Sequence, residues 1–144
     1  MNKKDKALAL FTKGFSCSQA VLAVFCEDFG LPKEAALRLS QGFGGGMAGT
    51  AETCGALTGA ILVLGLKHGR IRAADQVSKE TTYALVRRLF DRFRRRHGAL
   101  LCRELLRCDI ATPEGAAIAK EKKLHKYFCP LLVESAVEIT EEIL

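Results

Sequence analysis

The stretch from Cys54 to Leu66 is a nearly unbroken apolar run of thirteen residues. A membrane span needs about 20 such residues, so the run predicts a core helix buried inside the protein. A helix that is apolar on every side must be enclosed by other elements, and the rest of the chain reads as helices. No convincing alternation of period two, internal repeat or low-complexity linker occurs. At 144 residues the chain is long enough to bury a real core as one domain, residues 1–144. The expectation is an all-α single-domain bundle of six to eight helices with one glycine-rich loop.

Punctuation along the chain supports this. Lys3 to Lys13 reads as a short charged helix. Ser16 and Gln19 stand three apart as a capping box for a helix running to Phe29, and Gly30 is its stop. Pro32 opens a helix to about Gln41. Gly42-Phe43-Gly44-Gly45-Gly46-Met47-Ala48-Gly49 cannot form a stable helix. Thr53 is the expected cap of the apolar helix, and Gly69 its end. From Ala73 to His97 the stripe Leu85, Val86, Leu89, Phe90, Phe93 marks a long amphipathic helix, broken by Gly98. Helices follow from about Ala99, from Thr112-Pro113 and from Cys129-Pro130.

Four of the six cysteines, Cys17, Cys54, Cys102 and Cys129, fall at these helix starts. A helix N-terminus carries free N–H groups and roughly half a positive charge. That setting favours the thiolate, the form that attacks disulfides and binds metals. The opening segment from Met1 to Cys17 does not read as a signal peptide, because its apolar part is short and Lys13 interrupts it. A cytoplasmic location follows as the expectation. Cysteines kept reduced there are more often catalytic, metal-binding or redox-sensing than structural. Cys26 reads as a small core hydrophobe, and Cys108 is open between structural and functional roles.

No Cys-x-x-Cys occurs, which argues against a thioredoxin-like motif and against paired zinc knuckles. The four sulfurs can meet only through the fold. Two dithiol pairs, or one four-sulfur site for zinc or an iron–sulfur cluster, both satisfy the spacing. Gly55 and Gly59 lie four apart on the apolar helix, where a neighbouring helix or a cofactor can approach the backbone; close helix packing is the preferred reading. The glycine-rich loop is expected to pass close to Cys54 and expose its sulfur. It lacks the context of a dinucleotide or P-loop site.

The net charge of +6 comes largely from Arg87, Arg88, Arg92, Arg94, Arg95 and Arg96. No aromatics interleave on that face to stack bases, so a solvated face is preferred over nucleic-acid binding; docking of an acidic redox partner is a further reading. His68 and His97, near helix C-termini, need no catalytic role.

The cysteine arrangement resembles a family of redox-active proteins named for the motif C…CGAxxG…C…C. Cys54-Gly55-Ala56-Leu57-Thr58-Gly59 carries the central motif. Gly14-Phe15-Ser16-Cys17-Ser18-Gln19-Ala20-Val21, Gly42 to Met47, Cys102-Arg103-Glu104-Leu105-Leu106 and Cys129 supply the remainder. The resemblance spans nearly the whole chain. It implies a small, helical prokaryotic protein that is redox-active through Cys17, Cys54, Cys102 and Cys129, often encoded near transporters. Cys26 and Cys108 lie outside the pattern.

Three functions are weighed. The first is thiol–disulfide or electron-transfer chemistry as an oxidoreductase, with Cys54 attacking, Cys17 resolving and an unidentified redox partner protein. The second is zinc or iron–sulfur binding by the same four cysteines. The third is a non-enzymatic adaptor of a transporter, with the cysteines bracing the fold. Homo-oligomerisation is left open.

Overall fold

The computed structural model describes all 144 residues. The chain forms nine α-helical segments and no strand: α1 (Lys3–Thr12), α2 (Cys17–Ala23), α3 (Lys33–Ser40), α4 (Gly55–His68), α5 (Gln76–His97), α6 (Cys102–Leu106), α7 (Pro113–Glu121), α8 (Leu124–Tyr127) and α9 (Cys129–Ile143). Since α8 is a single turn, eight helices have five residues or more, as the sequence leads one to expect. No helix is long and apolar enough to cross a membrane.

The apolar run is the core helix. In α4, Ala56, Leu57, Ala60, Val63 and Leu64 are fully buried, enclosed by α2, α5 and α9. Burying a leucine or valine stabilises by about 1.5–3 kcal/mol relative to leaving it exposed, which is why this run fixes the centre of the bundle. On α5, Leu89 and Phe93 of the amphipathic stripe are fully buried. Arg92 pairs with Glu142 at 2.7 Å, and Arg96 reaches Glu138 and Glu142, so part of the arginine face ties α5 to α9.

The second helix is shorter than its sequence pattern suggests. It ends at Ala23, and Cys26 to Phe29 form a 3-10 turn instead of a continuing α-helix. The change lets both Phe25 and Cys26 point into the core. The carbonyl of Val24, no longer used within the helix, accepts from Lys3 Nζ at 3.2 Å. Cys26 is a buried core residue, as expected.

At Gly59, α2 and α4 approach closely. A Cβ there would lie 2.7 Å from the Ser18 carbonyl oxygen and 3.1 Å from Val21 Cβ. Overpacking costs about 1–3 kcal/mol, against only about 0.5–1 kcal/mol regained from replacing a helical glycine. Gly59→Ala should therefore lower the midpoint of denaturant unfolding; an unchanged or raised midpoint would contradict this packing.

Candidate functional site

Cys17, Cys54, Cys102 and Cys129 all line one cavity of about 480 Å³. Distant segments thus bring the four expected cysteines to one place. All six cysteines are free thiols.

Local structure explains each position. Ser16 caps α2: its hydroxyl accepts from Gln19 N–H, and Gln19 Oε1 accepts from Ser16 N–H at 3.0 Å. Gln19 Nε2 then donates to Leu37 O at 2.9 Å, while Ser18 Oγ donates to Ser40 O at 2.8 Å. The first turn of α2 is thereby pinned, and Cys17 is its first residue.

Cys54 is itself the N-cap of α4, one residue later than Thr53, the expected cap. The backbone explains the shift. Thr53 pairs with Leu101 in an antiparallel bridge, Cys54 N–H donates to Leu100 O at 3.0 Å and Cys102 N–H donates to Glu52 O. The chain stays extended until these bonds are made. The same pairing delays α6, which starts at Cys102 and not near Ala99.

The glycine-rich loop is an ordered coil. Gly45, Gly46, Met47, Ala48 and Gly49 all have positive φ, between 54° and 76°. Ala51 N–H donates to Gly45 O and Glu52 N–H to Gly46 O. Met47 and Ala48 adopt a conformation costly for L-residues. Gly46 admits no side chain, because a Cβ would lie 2.6 Å from Glu52 N and 2.8 Å from Cys102 Cβ. The coil presents the Gly45 N–H to the Cys17 sulfur. The loop therefore serves Cys17, where the sequence reading assigned it to Cys54.

Helix position alone does not make the four thiols acidic. Only Cys17 is lowered, to about 7, by the Cys54 thiol beside it and by the nearby N–H groups of Gly45 and Ser18, against the opposing effect of burial. Cys54 is pushed up by that same contact and by burial. Burial and the nearby Cys17 and Cys108 raise Cys102 to about 11, and burial with Cys17, Cys102 and Cys108 raises Cys129 to about 12. Burial and the neighbouring thiols outweigh the helix ends, and two of those ends are weak. The five residues of α6 carry little dipole. Cys129 follows α8 almost directly through Phe128, whose backbone is already helical, so α9 has no open N-terminus.

Gly55 lets the pair form, because its Cα lies against Cys17 Sγ where any Cβ would collide. The space beside Gly55 and Gly59 is filled by α2, so helix packing, and not an inserted cofactor, occupies both. For zinc the donor geometry is missing, since no three His, Cys, Asp or Glu side chains group closely enough to hold one metal ion.

The family described as "Putative redox-active protein (C_GCAxxG_C_C)" matches residues 15–143. The chain belongs to this family. Its label orders the central motif Gly-Cys-Ala, whereas this member reads Cys54-Gly55-Ala56. No curated protein and no solved structure matches the chain. In this redox-active family member the rest of the cavity wall was not foreseen: Phe11, Leu106, Ile110, Leu124 and Leu132, with Lys120, Lys123, His125 and Lys126. The signal available was the basic run Lys120-Glu121-Lys122-Lys123-Leu124-His125-Lys126. His125 is placed by stacking on Phe11, ring centroids 4.4 Å apart.

Proposed function

We propose that the protein carries out thiol–disulfide exchange, with Cys17 as the attacking thiolate and Cys54 as the resolving thiol. The observation that supports this most is the packing of Cys17 Sγ against Gly55, beside Cys54, in the wall of the cavity; the Cys54 thiol there lowers the Cys17 thiol to about 7, so that it is half ionised near neutral pH. These roles reverse the order that helix position suggests, because the Cys54 thiol and the backbone N–H groups beside Cys17 lower it, while burial and Cys17 raise Cys54.

The Cys17 thiolate attacks one sulfur of a disulfide R–S–S–R′, forming a Cys17–S–S–R bond and releasing R′S⁻. Cys54 gives its proton to R′S⁻ and becomes a thiolate. It then attacks Cys17 Sγ, forming the Cys17–Cys54 disulfide and releasing RS⁻. Two electrons pass from the protein dithiol to the substrate. Cys17 Sγ packs against Gly55, the residue that follows Cys54, which keeps the two cysteines side by side for the bond to close. Cys102 and Cys129 remain protonated at neutral pH and act as walls of the cavity.

Mass-spectrometric mapping after mild oxidation tests this. A reversible Cys17–Cys54 disulfide is the expected product, with Cys26 untouched in the core. Bonds confined to other cysteines, or six thiols that stay free, would refute it.

A further inference from the structure

The cavity's lining chemistry carries more than the position of its thiols. No aspartate or glutamate lines it, and its only permanently charged residues are Lys120, Lys123 and Lys126. All three are exposed, and none has a carboxylate within ion-pair distance. They reach one rim because α7 ends and α8 begins through Lys123, held at φ 52°, with Lys123 N–H donating to Lys120 O and Lys126 N–H to Lys123 O. Lys126 Nζ lies over the Tyr127 ring, 5.3 Å from its centroid, which leaves Lys120 and Lys123 as the freer charges. Between this rim and Cys17 the walls are Phe11, Leu106, Ile110, Leu124 and Leu132.

We infer that the disulfide reduced at this site is a small molecule with an apolar body and carboxylate or comparable anionic groups, not a disulfide on a folded protein. This rests on the exchange reaction proposed above. Three observations favour it. The volume of about 480 Å³ falls in the range of small-ligand sites. Cys17 is half-buried and Cys54 is 5% exposed, so a disulfide must enter the cavity to be attacked, which a folded surface does not do. The unpaired lysines give the mouth a single sign of charge, which concentrates anions there. Gly46, which also lines the cavity, has a backbone N–H with no acceptor in the protein, a second donor beside Gly45 for a departing thiolate.

The test is single-turnover oxidation of the reduced full-length protein by three reagents: dithiobis(nitrobenzoate), an aromatic dianionic disulfide; cystamine, a cationic one; and insulin, a protein disulfide. Each rate is divided by that of the same reagent with free cysteine. The anionic reagent should be favoured about tenfold over the cationic one at low salt. The preference should shrink as ionic strength rises. It should also vanish in a K120Q/K123Q/K126Q variant, whose changes lie at exposed positions and spare the core. Equal corrected rates, a preference that survives the triple variant, or insulin reacting fastest would overturn the inference while leaving exchange at Cys17 intact. Failure of all three reagents to give a Cys17–Cys54 disulfide would instead remove the exchange reading itself.

Discussion

In a Cys108→Ser background, Cys17→Ser should remove nearly all alkylation by iodoacetamide at pH 7. Cys17, lowered to about 7, is half ionised there, whereas Cys102, raised to about 11, is ionised in about one molecule in ten thousand. That gap is partly offset, because nucleophilicity falls with acidity by a Brønsted factor of about 0.4–0.5 per unit. A loss of roughly fifty-fold or more remains. The same offset means that Cys17 outpaces an ordinary exposed thiol at pH 7 only about threefold. The midpoint of the pH–rate profile is therefore the sharper readout. It should lie near 7 in the parent, with the rate rising as pH rises through it and the thiolate forms. In Cys54→Ala the main cause of the lowered value is gone, so the midpoint should move up toward that of an ordinary cysteine. A Cys54→Ala profile still centred near 7 would show that the Cys54 thiol does not hold the thiolate.

Much of this arrangement is legible in the sequence, and the exceptions have a common cause. The capping box of Ser16 and Gln19 is a local signal and forms as written. So does the Thr112 cap, accepting from the N–H of Gly115 three residues on, whereas the long helix starts at Gln76 behind an Asp75 cap and not at the expected Ala73. The apolar run could be placed at the centre because its burial depends on composition alone. What local signals cannot carry is pairing between distant segments. The bridge from Thr53 to Leu101 moves two helix starts by one residue or more, and nothing near either residue announces it. The acidity of the thiols fails for the same reason. A helix start is readable at Cys102 or Cys129, but their burial and their thiol neighbours come from the tertiary fold and outweigh it. The contribution of Gly45 to Cys17 depends on five consecutive left-handed residues, two of them not glycine, which no propensity scale favours.

Gly55→Ala should damage the site far more than the fold. The added methyl would meet Cys17 Sγ, with Phe43 O at 3.0 Å and Ser18 N at 3.3 Å leaving it no other direction. Both backbone contacts are tight but tolerable with a shift of a few tenths of an ångström, whereas the sulfur is too close to stay, so the sulfur is what must yield most. Rotating it away breaks its contacts with Cys54 and the Gly45 N–H together. Overpacking costs about 1–3 kcal/mol against about 0.5–1 kcal/mol regained from removing a helical glycine, a net loss as at Gly59. The expected result is a folded helical protein with a small loss of stability, a Cys17 pH midpoint raised toward the ordinary thiol value, and slow closure of the Cys17–Cys54 bond. Gly65→Ala, on the same helix, is the control. Nothing lies within 4 Å of its Cβ position, so it should stabilise by about 0.5–1 kcal/mol and leave the midpoint alone. The contrast separates helix propensity from the space reserved for sulfur. A Gly55→Ala protein that kept both its midpoint near 7 and its rate of disulfide closure would mean that Cys17 acts from a position other than the one packed against α4.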